Sequence, residues 1–210
     1  MPRTLSLAAL TVLELAPPEH VSCPADAGYD CVGLRLIPPT NDEVQRAMVG
    51  DTPLVRETAR RLADTGMRTL EIENFRLGPE TDVASYRPAL ETGARLGAHE
   101  ALVAGNDPDA SRLVERFAAF CDLCREYGIG ASLEPMPWTD VRSFADGVRI
   151  VERAARDNGA VLIDAIPFDR AGSDTREIAS APVERLHYVQ ICDACAERPR
   201  EKTQQLLDSL

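Results

Sequence analysis

Four apolar runs of the sequence carry carboxylates or amides at positions that alternate with aliphatic residues. They are Thr69-Leu70-Glu71-Ile72-Glu73-Asn74, Ser132-Leu133-Glu134-Pro135-Met136, Val161-Leu162-Ile163-Asp164-Ala165 and His187-Tyr188-Val189-Gln190-Ile191. Successive side chains of a strand point to opposite faces. If Leu70, Ile72 and Leu133 turn toward covering helices, then Glu71, Glu73, Glu134, Asp164 and Gln190 turn the other way, and Arg35 joins them from an earlier run. Carboxylates gathered in a protein interior are expensive unless something compensates their charge. A divalent cation does so economically, and a donor set of Glu, Asp and Gln oxygens favours Mg²⁺ or Mn²⁺ over a soft metal. The alternative is an internal layer of ion pairs and hydrogen bonds organised around Arg35.

The elements that must position these side chains alternate short apolar, β-branched runs with amphipathic helical segments, the mark of βα units and a parallel sheet. Strands are expected near 5–13, 30–36, 68–75, 100–104, 130–136, 160–166 and 186–192. Helices are expected near 18–27, 41–65 (in two pieces broken at Gly50 to Pro53), 81–97, 108–127, 140–157, 174–180 and 200–209. Asn106-Asp107-Pro108 opens one helix, Gly128 closes it, and Asn158-Gly159 ends the next. The turn after the first strand, Ala16-Pro17-Pro18-Glu19, lacks the glycines of a dinucleotide-binding sheet. The rhythm fits an α/β chain of the TIM (βα)8 type, a single domain over 1–210 with seven βα units and no eighth strand. Two uncovered strand edges would then remain, so a truncated chain or a partner filling the gap is expected, and a homo-oligomer is compatible with this.

The 210-residue chain is 44% hydrophobic and 27% charged, ordinary globular composition with no linker or low-complexity tract. Its net charge of −11 argues against nucleic acid and anionic membranes, which call for a basic footprint. A small anionic substrate stays compatible, because a few local arginines suffice to hold it; Lys202 is the only lysine. The apolar run from Leu5 to Ala16 is broken by Glu14 and followed by Pro17-Pro18, so it reads as a strand and not as a signal peptide. No run approaches the roughly 20 apolar residues of a membrane span. Six cysteines without a secretion signal read as reduced thiols of a cytoplasmic protein.

Cys121-x-x-Cys124 and Cys192-x-x-Cys195 superficially suggest zinc. The first pair shares a helical face with Phe117 and Phe120 and reads as core, while Cys192 ends a strand and is expected to line the pocket. His187 is expected to point away from the axis, and His20 and His99 to lie at the end remote from chemistry. Trp138, four residues after Glu134, offers an apolar wall for a sugar ring or a cover for the sheet edge.

The segments LEPMPW (133–138), VLIDAIPFDRAG (161–172) and LHYVQICDA (186–194), with LTVLELAPPE (10–19), AGYDCVGLRL (27–36) and TLEIENFRL (69–77), resemble the sugar phosphate isomerase/epimerase family of xylose isomerase-like barrels. The resemblance implies a divalent metal held by a Glu, an Asp, a third ligand that is usually His, and a last Glu. By position these are Glu134, Asp164 and Gln190, with the last expected from an eighth strand beyond Leu210. Two departures stand out: neutral Gln190 in place of imidazole, and Pro167 where many members carry His three residues after the Asp. The implied chemistry is proton abstraction beside a carbonyl, with the metal stabilising an enediolate. Glu134 would combine ligand and base, Glu73 would assist, and Arg35, Arg170 and Trp138 would contact substrate. The expected activity is isomerisation or epimerisation of a sugar, sugar phosphate or polyol ketone. A dehydratase of a keto-cyclitol or dehydroshikimate-like acid uses the same logic, and a non-catalytic barrel binding a ligand or partner is the reading from another class. Endonuclease activity fits least, for want of a basic surface and several metal-binding His.

Overall fold

The computed structural model describes residues 3–40 and 43–194. Its strands are β1 (Ser6–Leu7), β2 (Cys31–Arg35), β3 (Arg68–Leu77), β4 (Glu100–Gly105), β5 (Gly130–Glu134), β6 (Gly159–Val161), β7 (Ile163–Asp164) and β8 (Val189–Gln190). The helices are α1 (Pro17–Ala27), α2 (Pro53–Thr65), α3 (Arg87–Arg95), α4 (Ala110–Glu126), α5 (Phe144–Ala154), α6 (Ala165–Arg170) and α7 (Thr175–Ser180). Strands β1 to β6 hydrogen-bond in chain order in one six-stranded parallel sheet, and β7 pairs with β8 in a separate two-stranded sheet. The hydrogen-bonded ladder of the described residues does not close on itself.

The chain divides into two compact units. The first comprises the described parts of Met1–Phe75, Ala84–Ala101 and Leu123–Ile129. Proline at the first turn starts α1, Thr52 caps α2 by accepting from the Val55 N–H at 3.1 Å, and Gly28 (φ 81°) and Gly66 (φ 72°) close the two helices in the left-handed conformation that glycine adopts freely. Val21, Val32, Leu34, Val55, Ile72 and Leu90 form its core. Gly33 on β2 leaves room for Glu71, whose Oε1 would lie 2.9 Å from a Cβ there.

The second unit comprises the described parts of Arg76–Val83, Leu102–Asp122 and Gly130–Leu210. Its core gathers Leu102, Leu113, Phe117, Leu133, Phe144 and Val161. Ser143 and Asp146 cap α5 reciprocally, the Ser143 N–H donating to Asp146 at 3.1 Å and the Asp146 N–H to Ser143 Oγ at 3.2 Å. Gly147 lets α5 approach β5 and β6: a Cβ there would stand 2.7 Å from Pro135 and 3.1 Å from Val161.

Several expectations are corrected. The first strand is two residues long, and a 3₁₀ turn takes over at Ala9–Val12. The first piece of the 41–65 helix is absent over 43–48, and 81–97 opens with a 3₁₀ turn at Val83–Tyr86. The run 160–166 splits into β6 and β7 and then becomes α6, because the Asp164 side chain accepts from the Ile166 N–H at 3.1 Å and starts a helix. The expected strand at 186–192 is ordered as strand only at Val189–Gln190. The helix placed at 200–209, Cys195 and Lys202 lie outside the described residues.

Candidate functional site

Glu134 is the last residue of β5, where Pro135 removes a ladder donor and ends the strand. It is buried, at 7% exposure. β6 runs parallel to β5 with Leu133 opposite Val161, and the Leu162 N–H donates to the Leu133 carbonyl at 2.8 Å, carrying the chain on toward Asp164. Asp164 ends β7 and is the Cα partner of Gln190 on parallel β8. Side chains of partnered residues on parallel strands project to the same face, so the second and third expected ligands stand side by side. Both are half-buried.

Cys192, two positions after Gln190, brings its Sγ to 3.1 Å from Asp164 Oδ1 and donates to it. Burial raises the Asp164 carboxyl above its ordinary value, against the opposing hydrogen bonds from Cys192 and the Ile166 N–H. Desolvation of its sulfur pushes the Cys192 thiol up to about 12, reinforced by the bond to Asp164 and by the charges of Asp164 and Glu134, although the residue as a whole keeps solvent contact. The field here is negative, which a cation would relieve.

The donor types suit a hard divalent ion, and Glu134, Asp164 and Gln190 are the residues that would hold it. They supply three oxygen-bearing side chains, fewer than the full sphere of such an ion. Among the described residues, no three His, Cys, Asp or Glu side chains group closely enough to chelate a metal by themselves.

Pro167 lies with Pro135, Phe144, Leu162 and Phe168 around a small apolar cleft of about 190 Å³ that Asp164 borders. The Phe144 and Phe168 rings meet edge to face at 5.8 Å. Arg170 is corrected from a loop position to the last residue of α6, and its side chain is 6% exposed and paired with Asp169 at 2.9 Å, so it is not a solvated loop charge. Trp138 is half-buried in a turn fixed by the Thr139 N–H donating to Met136 O at 3.0 Å and by Thr139 Oγ1 donating to the carbonyls of Met136 and Val141, both at 2.9 Å.

The remaining two expected residues lie in the first unit. Arg35 donates from Nε to Glu73 Oε1 at 2.9 Å and pairs with Glu43 at 2.7 Å. Burial lifts the Glu73 carboxyl above its ordinary value, with Arg35 opposing; burial would lower Arg35, but Glu73 and Glu43 outweigh it. Arg35, Glu43 and Glu73 thus form an ion-paired cluster.

The Xylose isomerase-like TIM barrel model matches residues 24–205. The chain belongs to that family. No curated protein matches it. The structure of this xylose isomerase-like barrel chain is similar to a xylose isomerase-like TIM barrel/4-hydroxyphenylpyruvate dioxygenase fusion protein, with TM-score 0.79 and 19% identity over 99% of this chain and 33% of that one. The chain thus spans a third of the fusion protein. It is similar to the IolI protein solved with a bound zinc atom, with TM-score 0.75 and 18% identity over 91% of this chain and 73% of that one. It is also similar to D-psicose 3-epimerase solved with D-fructose, with TM-score 0.71 and 15% identity over 97% and 79% of the two chains. At these identities the likeness concerns the fold.

Two features of this xylose isomerase-like chain correct or complete the reading of its sequence. Phe117, Phe120, Cys121 and Cys124 are all fully buried, as a core helix face requires. His20, expected at the remote end, is instead 5% exposed in a cleft shared with Arg35 at the C-terminal end of β2. The signal was in the sequence: in a βα unit the helix start follows the strand's C-terminal end, so a His in the first turn of α1 belongs to the strand-end face.

Proposed function

We propose that the protein is a divalent-metal-dependent isomerase or epimerase acting on a sugar, sugar phosphate or polyol ketone. The observation that carries this reading is the partnership of Asp164 with Gln190 across β7 and β8, in the same unit as buried Glu134 at the end of β5. Asp164 and Gln190 would hold the ion and orient it. Glu134, desolvated beside Pro135, would take the proton from the carbon next to the carbonyl while the C–H electron pair moves toward the carbonyl oxygen. An epimer forms when water protonates the opposite face of that carbon, and an isomer forms when Glu134 returns its proton to the former carbonyl carbon as the adjacent hydroxyl proton passes to the former carbonyl oxygen. When bound, the ion would stabilise the negative charge developing on oxygen. Trp138 would shield this exchange from water. Arg35 and Glu73 are committed to one another and are assigned no step.

The test is solvent-deuterium incorporation into ketoses by the Mn²⁺-loaded protein, followed by NMR. Exchange at the carbon beside the carbonyl is expected, and it should vanish on chelation and in Glu134→Gln. Exchange that survives chelation would overturn the reading.

Pro167 lining an apolar cleft and the incomplete donor set favour a second reading, a barrel that binds a small ligand without turnover. Calorimetry showing no Mn²⁺ binding to a folded chain would select it.

A further inference from the structure

The chain leaving β1 and the segment after β2 border an open cleft whose described lining falls between residues 9 and 46. Its walls are apolar, with Leu13, Leu15, Leu34 and Leu36 among them. Four polar side chains reach it: His20, Arg35, Glu43 and Arg46. Arg35 is engaged by Glu43 at 2.7 Å and Glu73 at 2.9 Å. Arg46 donates to the carbonyls of Leu13 at 3.4 Å and Glu14 at 3.0 Å. The charged groups therefore satisfy one another or the backbone.

His20 differs. The residue is 5% exposed, and its buried Nε2 has no hydrogen-bond partner among the described residues. A neutral imidazole carries a proton on one nitrogen and a lone pair on the other. Burial pushes the His20 pKa down to about 4, against the Glu14 charge and the Leu7 carbonyl, so at neutral pH the ring is uncharged. A buried polar nitrogen without a partner is costly, and a concave, mainly apolar cleft lined by one such group has the makeup of a small-molecule site.

We propose that this cleft binds a small uncharged molecule that joins one hydroxyl to an apolar ring, the hydroxyl pairing with His20 Nε2 and the ring lying against the leucines. An anion finds both arginines already engaged. A cation finds Glu43 and Glu73 already engaged by Arg35, with Arg46 as a second positive charge beside them. A polyol would bury hydroxyls against aliphatic walls that offer them nothing. The inference is independent of the metal reading, since the described lining residues lie in the first unit and Glu134, Asp164 and Gln190 in the second.

The probe is phenol, titrated in the presence of chelator into the full chain carrying ¹⁵N-labelled histidine. The His20 Nε2 resonance should move saturably, while those of His99 and His187 stay. Toluene, which has the same ring without the hydroxyl, should bind about tenfold more weakly, and His20→Phe should erase that preference. The proposal is overturned if phenol does not bind at millimolar concentration, if His20 Nε2 is unmoved at saturation, if toluene binds as tightly as phenol, or if benzoate binds more tightly. Should His20→Phe fail to fold, the comparison of phenol with toluene on the unaltered chain decides. Failure here leaves Mn²⁺ binding at Glu134, Asp164 and Gln190 to stand or fall on its own measurement.

Discussion

Asp164 and Gln190 face each other as Cα partners on two short parallel strands, so their side chains leave the sheet together. Neither residue alone makes a cation site. If both contribute donors, Asp164→Asn and Gln190→Leu should each weaken Mn²⁺ binding by more than about tenfold, the order seen even for groups that only support a ligand. Titration calorimetry on both variants checks this, and unchanged affinity in either removes that residue from the ligand set.

Asp164 also makes a prediction about stability. Burial raises its carboxyl in the folded chain above the ordinary 3.8, so the folded state binds its proton more tightly than the unfolded state does. Its contribution is therefore most favourable below 3.8 and declines as pH rises through the folded value. Asparagine caps α6 equally well but carries no charge. In chelator, Asp164→Asn should thus be more stable than the parent at pH 7 and should lose that advantage on acidification. Urea denaturation at several pH values measures it, and saturating Mn²⁺ should reverse the order at neutral pH.

In the first unit, Arg35 is the compensating charge for buried Glu73. Removing one partner of a buried pair leaves the other uncompensated, at a cost of about 3 kcal/mol. Arg35→Met should show a deficit of that order at pH 7. The deficit should shrink as pH falls toward the ordinary glutamate value of 4.5, since Glu73, already raised by burial, then becomes neutral. A pH-independent deficit would mean that lost packing, not charge, dominates.

Gly147→Ala sets two effects against each other. Alanine is favoured over glycine within a helix by about 1 kcal/mol. The added carbon would stand 2.7 Å from Pro135 and 3.1 Å from Val161, both parts of rigid neighbours, and overpacking costs about 1–3 kcal/mol. Net destabilisation is expected in denaturant titration, together with a disturbed Glu134, which adjoins Pro135.

The alternation of β3 was legible from residue types: Glu71 and Glu73 are buried on one side of a strand whose Ile72 packs close to Gly93 of α3. The buried cysteine–phenylalanine face of α4 was legible for the same reason, since a helical period is a property of the sequence. What escaped was decided by single hydrogen bonds. Val161 to Ile166 is as apolar as any strand, yet one carboxylate accepting from one backbone N–H turns it into a helix. An aspartate with proline in the following turn was the available signal. Leu5 to Leu13 likewise reads as one extended run, but the Thr11 N–H donates to Ala8 O at 3.1 Å and curls it after two strand residues. That curl contributes to the cleft beside His20, which alternation along a longer strand would never have indicated.

The shortness of β8 has a consequence for how any ion would be felt by the rest of the unit. Two residues joined to two others, with Val189 54% and Ile191 86% exposed, gain little from burial and form a ribbon that opens at small free-energy cost. Gln190 sits on that ribbon. A bound cation would act there as a clasp, and the amides of Val189 and Gln190, otherwise among the quickest to exchange with solvent deuterium, would become protected in proportion to its occupancy.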